Sequence, residues 1–296
     1  MKKFSLHGTI TALVTPFDSN GDIDFFALEK LINHQIEGGV EGIAVSSTTG
    51  EAATLTIKEK SSLIVKAVEF AQGRVPIVVG TGTYETSMTR DLTILAKELG
   101  AAAALIVAPY YIKPTQEGLY EHYKLIADSV DLPQIVYNCP SRTAVNILPS
   151  TLLALAKDCP NIIAVKEASG DLDQMMEIID GAPHGFNLLS GDDSLALPAI
   201  SVGGKGVISV VSNYAPRQFS DAIRFALSGD FEQARKLHYS LFNLMNLNFC
   251  ESNPIPVKYA MHKVYGIEDS IRMPLLPLTA TNRKLMDKEL KKAKLI

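Results

Sequence analysis

Cysteine is scarce in this sequence, and its scarcity excludes two kinds of structure. The 296 residues contain three cysteines, Cys139, Cys159 and Cys250, which are far apart and odd in number. No Cys-x-x-Cys pair and no cluster of cysteine and histidine occurs. A disulfide framework and a zinc site both need such pairs or clusters, so neither is expected. This cysteine usage is typical of the reducing cytoplasm.

The sequence also lacks an excess of basic charge and a long apolar run. Its 28 lysines and arginines face 32 acidic residues, which gives a net charge of −4. Without a basic run, nucleic-acid binding is not expected. No uninterrupted apolar stretch reaches the ~18 residues of a membrane span. The basic start has no cleavage site of small residues, so a signal peptide is not expected. We expect a soluble cytoplasmic protein.

The chain does contain a regular alternation of short apolar runs and longer amphipathic stretches. The short runs predict eight strands, at residues 9–14, 42–46, 75–80, 104–108, 134–137, 162–166, 187–189 and 206–209. The amphipathic stretches between them include residues 25–37, 57–71, 87–99, 117–129, 149–157 and 194–202. Repeated strand–helix units indicate a parallel sheet with crossover helices.

Eight such units favour a closed (β/α)8 barrel, also called a TIM barrel, over an open doubly wound sheet. The Gly80-Thr81-Gly82 segment lacks the rest of a dinucleotide-binding Gly-x-Gly-x-x-Gly motif, which also argues against the open sheet. Beyond Ala215 the pattern is helical, at residues 215–227, 231–247, 256–264 and 279–292. We predict an α/β fold with a catalytic barrel at residues 1–228 and a small helical domain at residues 229–296.

Lys166 ends an apolar run that is typical of a strand buried on both faces. A lysine at the carboxyl end of such a strand has its stem in the core and its amine at the edge of a site. Burial disfavours the charged form, so the amine pKa falls and a neutral nucleophile becomes available near pH 7. This is the chemistry of a Schiff-base enzyme. A strand-end cap or an ion pair with Glu167 is the structural alternative.

The other strand ends carry further candidate residues, because a barrel places its active site at this rim. The turn from Ser46 to Glu51 is rich in hydroxyl groups and suits a carboxylate. Alternatively, Thr48 and Glu51 form a capping box at the start of a helix. Tyr110 and Tyr111 follow the fourth strand and are either site residues or packing residues.

The fifth strand ends at Tyr137, which can relay protons, and Arg142 follows and can bind a second carboxylate. Asp192 and Asp193 follow the seventh strand, and we interpret them as helix N-caps rather than metal ligands. With the Lys166 amine, these groups suit a 2-oxo acid whose imine loses a proton to give an enamine. The arginine then indicates carbon–carbon bond formation or cleavage with a second, charged substrate.

The same residues resemble the dihydrodipicolinate synthase family, also called 4-hydroxy-tetrahydrodipicolinate synthases, of the N-acetylneuraminate lyase superfamily. The resemblance runs from about residue 4 to the end of the chain. The matching segments are Gly8-Thr9, Thr15-Pro16-Phe17, Ser47-Thr48-Thr49-Gly50-Glu51, Pro109-Tyr110-Tyr111, Tyr137-Asn138, Pro140-Ser141-Arg142-Thr143, Val165-Lys166-Glu167-Ala168, Leu189-Ser190-Gly191-Asp192-Asp193 and Asn253-Pro254-Ile255-Pro256-Val257-Lys258. The segment that contains Arg142 is the more specific one, since sugar-acid lyases of the superfamily usually lack this arginine.

The resemblance implies a lyase that condenses pyruvate with aspartate 4-semialdehyde on the diaminopimelate and lysine route, without a cofactor or a metal. It implies that Lys166 forms the Schiff base with pyruvate and that Tyr137 donates and accepts the proton. Thr48 and Tyr111 would complete the proton relay, with Tyr111 reaching into the site of a neighbouring subunit. The family is typically a homotetramer built as a dimer of dimers.

For the substrates, the resemblance implies that Thr49 and the backbone of Ile208 bind the carboxylate region of pyruvate, and that Arg142 holds aspartate semialdehyde. Two alternatives remain open. Another pyruvate-dependent aldolase, such as a sialic acid or 2-keto-3-deoxy sugar-acid lyase, would need hydroxyl partners in the space near Arg142. A catalytically silent binding homologue would have no need of the four catalytic residues together.

The chain departs from the family pattern at two groups of positions. Ser47 and Ala144 replace glycines, and neither change removes a reacting group. In the interface cleft where lysine inhibits some family members, the usual lysine-binding residues are replaced by Ala52, Ile57, Lys60, Tyr84 and Met88. We expect weak or absent inhibition by L-lysine, because burying its ammonium group without a charged acceptor is unfavourable.

Overall fold

Eight parallel strands form a closed barrel in the computed structural model, which describes residues 6–296. The strands are β1 (Gly8–Ala12), β2 (Gly42–Val45), β3 (Ile77–Gly80), β4 (Ala103–Val107), β5 (Gln134–Asn138), β6 (Ile162–Glu167), β7 (Asn187–Ser190) and β8 (Gly206–Ser209). Each strand pairs with the next in the chain, and β8 pairs with β1 to complete the ring. The predicted (β/α)8 barrel is confirmed, and every predicted strand overlaps an observed one.

Helices follow the strands and cover the outside of the barrel. They are α1 (Phe25–Glu37), α2 (Ile57–Ala71), α3 (Thr86–Glu98), α4 (Gln116–Ser129), α5 (Pro140–Thr143), α6 (Pro149–Asp158), α7 (Leu172–Gly181), α8 (Ala196–Ser201), α9 (Pro216–Leu227), α10 (Phe231–Leu247), α11 (Ile255–Tyr265) and α12 (Ala280–Lys292). Along the part of the chain that the structure describes, none of them is long and apolar enough to cross a membrane.

Two helices were not delimited by the sequence pattern. Helix α5 has only four residues, which is too short for a periodic signal. Helix α7 begins after Asp171, whose side chain accepts hydrogen bonds from the backbone N–H groups of Asp173 and Gln174. An aspartate at this position is a common N-cap, so the sequence alone could have predicted the start of α7.

Side chains alternate along every strand between the barrel interior and the layer beneath the helices. One buried cluster takes a residue from each of the eight strands, which places it inside the barrel: Ile10, Ala44, Val78, Leu105, Ile135, Ala164, Leu189 and Ile208. Val136 and Val165 belong instead to a cluster that packs against the surrounding helices. Tyr137 and Lys166 therefore point into the interior, and Asn138 and Glu167 point away from it.

The carboxyl-terminal helices share a hydrophobic core with the barrel. One buried cluster includes Leu28 of α1, Val207 of β8, Leu241 of α10 and Met261 of α11. The domain boundary predicted at residues 228 and 229 lies in the turn between α9 and α10 and remains a prediction. Helix α11 is the most enclosed of the three, since its first seven residues are all buried.

Candidate active site

A cavity of about 590 Å³ opens at the rim formed by the carboxyl ends of the strands. Its lining includes Ser47 and Thr48 after β2, Tyr137 at the end of β5 and Arg142 in α5. Asn253, from the segment between α10 and α11, also lines it. Three of the predicted site residues, Thr48, Tyr137 and Arg142, thus line one cavity at this rim.

Lys166 lies next to this cavity, against the ring of Tyr137. Its side chain is buried, and the Nζ atom is 4.1 Å from the centroid of the Tyr137 ring. Burial lowers the pKa of Lys166 to about 8. Glu167 instead accepts hydrogen bonds from Asn138, Ser169 and Gln174, so the alternative of a Lys166–Glu167 ion pair is wrong.

Tyr137 lines the cavity and is itself buried. Burial raises the pKa of Tyr137 well above its ordinary value, and the neighbouring Cys139 thiol contributes to the rise. The phenol is therefore protonated at neutral pH and can donate a hydrogen bond or a proton. In the β5–β6 ladder, Tyr137 lies directly opposite Lys166, which fixes the spacing of the amine and the phenol.

The turn after β2 is anchored by contacts from distant parts of the chain. Asn253 Nδ2 donates to Thr49 Oγ1 at 3.1 Å, and Thr15 Oγ1 donates to the carbonyl oxygen of Gly50 at 2.7 Å. Glu51 has a φ of 55°, in the left-handed region that a residue with a side chain rarely adopts. The carboxylate of Glu51 accepts from the backbone N–H of Arg272 at 3.0 Å.

Glu51 also forms a buried ion pair with Lys258 of α11, and the exposed fractions of these side chains are only 1% and 2%. The capping box between Thr48 and Glu51 is therefore wrong, because the Glu51 carboxylate is directed at the carboxyl-terminal segment. Lys258 Nζ additionally donates to the carbonyl oxygen of Ser270 at 2.8 Å and lies 4.0 Å from the Phe17 ring centroid. Burial lowers the pKa of Lys258 to about 8, and the attraction of Glu51 opposes this shift.

Arg142 approaches the same segment from the other side of the cavity. Its Nη2 atom donates to the backbone carbonyl oxygen of Asn253 at 3.2 Å. Asn253 therefore contacts both Thr49 and Arg142, two of the residues predicted to bind the substrates. In the sequence, Asn253 stood out only as the first residue of the matching segment that ends at Lys258, and this position by itself indicates no role.

The paired tyrosines after β4 have different environments. Tyr110 lines the cavity, and its ring centroid is 5.7 Å from that of Tyr84. Tyr111 is 90% exposed and has a φ of 74°, so it is not a packing residue of its own chain. The structure does not bring Tyr111 into the cavity that contains Thr48 and Tyr137.

The aspartates after β7 do not cap a helix with their side chains, so the N-cap interpretation is wrong. Asp192 is at the start of a short 3₁₀ turn but makes no capping hydrogen bond. The buried Asp193 accepts from the backbone N–H groups of Val210 and Val211, at 3.1 and 2.7 Å, and so holds the loop that follows Ile208. Burial raises the pKa of Asp193 to about 6. No cluster suited to a metal ion occurs among residues 6–296.

Most of the positions that depart from the family pattern lie around the cavity. Ser47 and the five positions of the predicted lysine cleft line the same cavity as Tyr137 and Arg142. Burial lowers the pKa of Lys60, one of these five residues. Ala144 ends α5 with a φ of 58°, a conformation that favours glycine. Weak inhibition by L-lysine remains a prediction.

Comparison with known proteins assigns the family. The model of the dihydrodipicolinate synthetase family matches residues 5–293. The chain belongs to this family. It is 46% identical over 285 residues to the 4-hydroxy-tetrahydrodipicolinate synthase of Aquifex aeolicus, and the match covers 96% of this chain and 97% of that relative.

Two solved structures show how closely this family member follows the fold of its relatives. The chloride-inhibited dihydrodipicolinate synthase from Acinetobacter baumannii, complexed with pyruvate, is 44% identical with a TM-score of 0.97, and the match covers 99% of this chain and 100% of that one. A monomeric dihydrodipicolinate synthase variant is 41% identical with a TM-score of 0.96, and the match covers 98% of each chain.

The buried ion pair gives a first prediction. We expect Lys258→Met to lower the free energy of unfolding by about 3–5 kcal/mol, because it leaves the buried Glu51 carboxylate without its cation. The double variant Glu51→Leu with Lys258→Met should recover most of this loss. Lys236→Met is the matched control, since Lys236 pairs with Glu232 on the surface and should contribute little. Urea unfolding measures all three, and a Lys258→Met variant as stable as the control would contradict the prediction.

Proposed function

We propose that this chain is a class I lyase, a 4-hydroxy-tetrahydrodipicolinate synthase. It condenses pyruvate with L-aspartate 4-semialdehyde in the cytoplasm, on the route to diaminopimelate and lysine. The observation that carries the proposal is the Lys166 amine, buried at the end of β6 with a pKa of about 8 and held against Tyr137. Family membership and the name of the Aquifex aeolicus relative support it.

In this proposal Lys166 attacks the ketone carbon of pyruvate as a neutral amine. Loss of water gives an iminium ion, which withdraws electrons and allows the methyl carbon to lose a proton. The resulting enamine attacks the aldehyde carbon of the second substrate. Tyr137 supplies and receives protons, with Thr48 as the next member of the relay. The reaction uses side chains alone and needs no cofactor or metal.

The pyruvate carboxylate binds at the turn after β2 in this scheme. Asn253 already donates to Thr49 Oγ1, so the hydroxyl hydrogen of Thr49 remains available for a carboxylate oxygen. The backbone of Ile208 in β8 is the second group proposed to bind the carboxylate, and Asp193 holds the loop that follows it. Both partners of the carboxylate are thus fixed before pyruvate binds, which favours binding.

The lowered pKa of Lys166 gives a prediction about pH. Below a pKa of about 8 the amine is protonated and cannot attack, so the rate of imine formation should rise roughly tenfold per pH unit and level off above pH 8. An ordinary lysine would continue to gain reactivity up to about pH 10.4. Rapid quenching with borohydride at low pyruvate concentration measures this rate.

Peptide mapping provides the control for this experiment, because the chain offers a second buried lysine. The pKa of Lys258 is also about 8, but its amine is paired with Glu51. The reduced pyruvyl group should therefore be found on Lys166 and not on Lys258. A chain that gains no covalent mass would be a silent homologue, and an adduct elsewhere would contradict the mechanism.

Arg142 decides the choice of the second substrate in this proposal. We expect Arg142→Ala to leave pyruvate imine formation intact and to weaken use of aspartate semialdehyde by ~1.5–3 kcal/mol, or roughly one to two decades in kcat/KM. Arg142→Lys is the matched control, since it keeps the charge and loses the forked geometry. Its kcat/KM should lie between those of the unaltered chain and of Arg142→Ala. Unchanged kinetics in Arg142→Ala would favour a sugar-acid lyase instead.

Tyr111 leads to a proposal about assembly. Its side chain is almost fully exposed in its own chain, which fits a residue that completes the relay of a second subunit. We propose a homo-oligomer of this kind, a homotetramer built as a dimer of dimers. An isolated monomer would then contain Lys166, Tyr137 and Thr48 without the last member of the relay.

Mixed subunits test this arrangement. Inactive Tyr111→Phe and inactive Lys166→Ala chains should regain activity when mixed, because one site of the hybrid then has both residues intact. Mixing Tyr137→Phe with Lys166→Ala is the control and should restore nothing. Tyr137 and Lys166 belong to the site of the same chain, so each site of the hybrid keeps one defect. Absence of recovery for the first pair, with subunit exchange demonstrated by mass spectrometry, would show that Tyr111 does not act across subunits.

A further inference from the structure

Two polar side chains lie directly behind the proposed catalytic pair. Tyr137 is opposite Lys166 in the β5–β6 ladder, and the next pair in the ladder is Asn138 opposite Glu167. Because successive side chains point to opposite faces of a strand, Asn138 and Glu167 face the layer beneath the helices. Both are fully buried. The proposed reaction uses neither of them.

The Glu167 carboxylate accepts hydrogen bonds from three residues and has no cation among them. Asn138 Nδ2 donates to Oε2 at 3.0 Å, the backbone N–H of Ser169 donates to Oε1 at 2.7 Å, and Gln174 Nε2 donates to Oε2 at 3.1 Å. Burial raises the pKa of Glu167, and these hydrogen bonds oppose the rise. Since every partner is a donor, the group acts only as an acceptor here.

Asn138 extends these contacts into a closed network. Its Oδ1 atom accepts from the backbone N–H of Ile147 at 3.0 Å, and its Nδ2 atom also donates to Asn146 Oδ1 at 2.7 Å. Asn146 Nδ2 in turn donates to Gln174 Oε1 at 2.8 Å. The Nε2 atom of the same Gln174 amide donates to Glu167, which closes the network. The network joins β5, β6, the loop before α6 and helix α7. A buried network with satisfied partners is rigid.

We infer that Glu167 and Asn138 are positioning residues, which hold the ends of β5 and β6 so that Tyr137 and Lys166 keep their reactive geometry. The inference rests on the proposed Schiff-base function. The strand ladder ends at this pair, and beyond it a backbone hydrogen bond from the N–H of Ala168 to the carbonyl oxygen of Asn138, at 2.9 Å, also joins the two strand ends, so the side-chain network adds to this contact. Neither residue touches the cavity, and each acts through the catalytic residue next to it in the chain.

Glu167→Gln tests the inference with almost no change in shape. The new amide NH₂ group must face the Ser169 N–H if it replaces Oε1, or Asn138 and Gln174 if it replaces Oε2, so at least one hydrogen bond is lost and its contact becomes repulsive. We expect borohydride trapping of pyruvate on Lys166 to slow by about tenfold or more, since small displacements of reacting groups cost about this much or more. The KM for the aldehyde should stay within about twofold, because Arg142 is not part of the network.

A second variant tests the hydrogen bond itself. In Asn138→Asp with Glu167→Gln, the donor and the acceptor of the central contact exchange places, while total charge and shape are kept. This double variant should trap pyruvate at least about threefold faster than Glu167→Gln, as coupled residues do in a double-mutant cycle. If Glu167→Gln does not fold, Asn138→Ser takes its place, because it removes the amide donor and leaves the carboxylate with its other two donors.

Asn161→Ala is the matched control at the opposite end of β6. Asn161 Nδ2 donates to the carbonyl oxygens of Ala127 and Val130, at 2.9 and 3.0 Å, far from the catalytic end of the strand. This control should lower Tm and leave trapping unchanged. If the unaltered chain forms no adduct, the proposed function fails. If it does, and Glu167→Gln traps pyruvate as fast as the unaltered chain, or slows trapping no more than Asn161→Ala does at an equal loss of Tm, the positioning role is overturned.

Discussion

The alternation of side chains along strands that are closed into a ring is the constraint on which this molecule depends. It directs Lys166 and Tyr137 into an interior that is dry enough to disfavour an ammonium group. It directs Asn138 and Glu167 outward, where backbone and amide donors satisfy the carboxylate. A slip of β6 by one residue against β5 would place Glu167 opposite Tyr137, and the carboxylate would then occupy the barrel interior in place of the amine.

The barrel alone does not build the whole site, because the residues that hold its binding groups come from the carboxyl-terminal part of the chain. Asn253 contacts Thr49 through its side chain and Arg142 through its backbone, so one residue joins two groups that we propose to bind carboxylates. Lys258 keeps the turn after β2 in place through Glu51. The helical segment is therefore a structural component of the proposed substrate site, and it shares a hydrophobic core with the barrel.

The sequence was sufficient for features that depend on local pattern and insufficient for those that depend on distant partners. Apolar runs and helical periodicity predicted the barrel, and the ends of the runs predicted where Tyr137 and Lys166 would lie. Asp193 was misinterpreted as a capping residue, and the capping alternative for Glu51 was wrong, because a cap is the nearest local use of a carboxylate. Their actual partners are an amine in α11 and amide groups after β8, and such pairings leave no periodic signal.

The dependence of the turn after β2 on the end of the chain has a consequence for biosynthesis. Arg272 lies 221 positions after Glu51, so the ribosome completes the acidic turn long before it makes the groups that hold it. At a rate of synthesis of ~5–20 residues per second, the Glu51 carboxylate lacks these partners for about 10 to 40 seconds. The nascent chain can already contain Lys166 and the strands around it while its carboxylate-binding turn is still unsupported. A polypeptide that terminates before Lys258 would thus keep the nucleophile and lack the structure that presents a substrate to it.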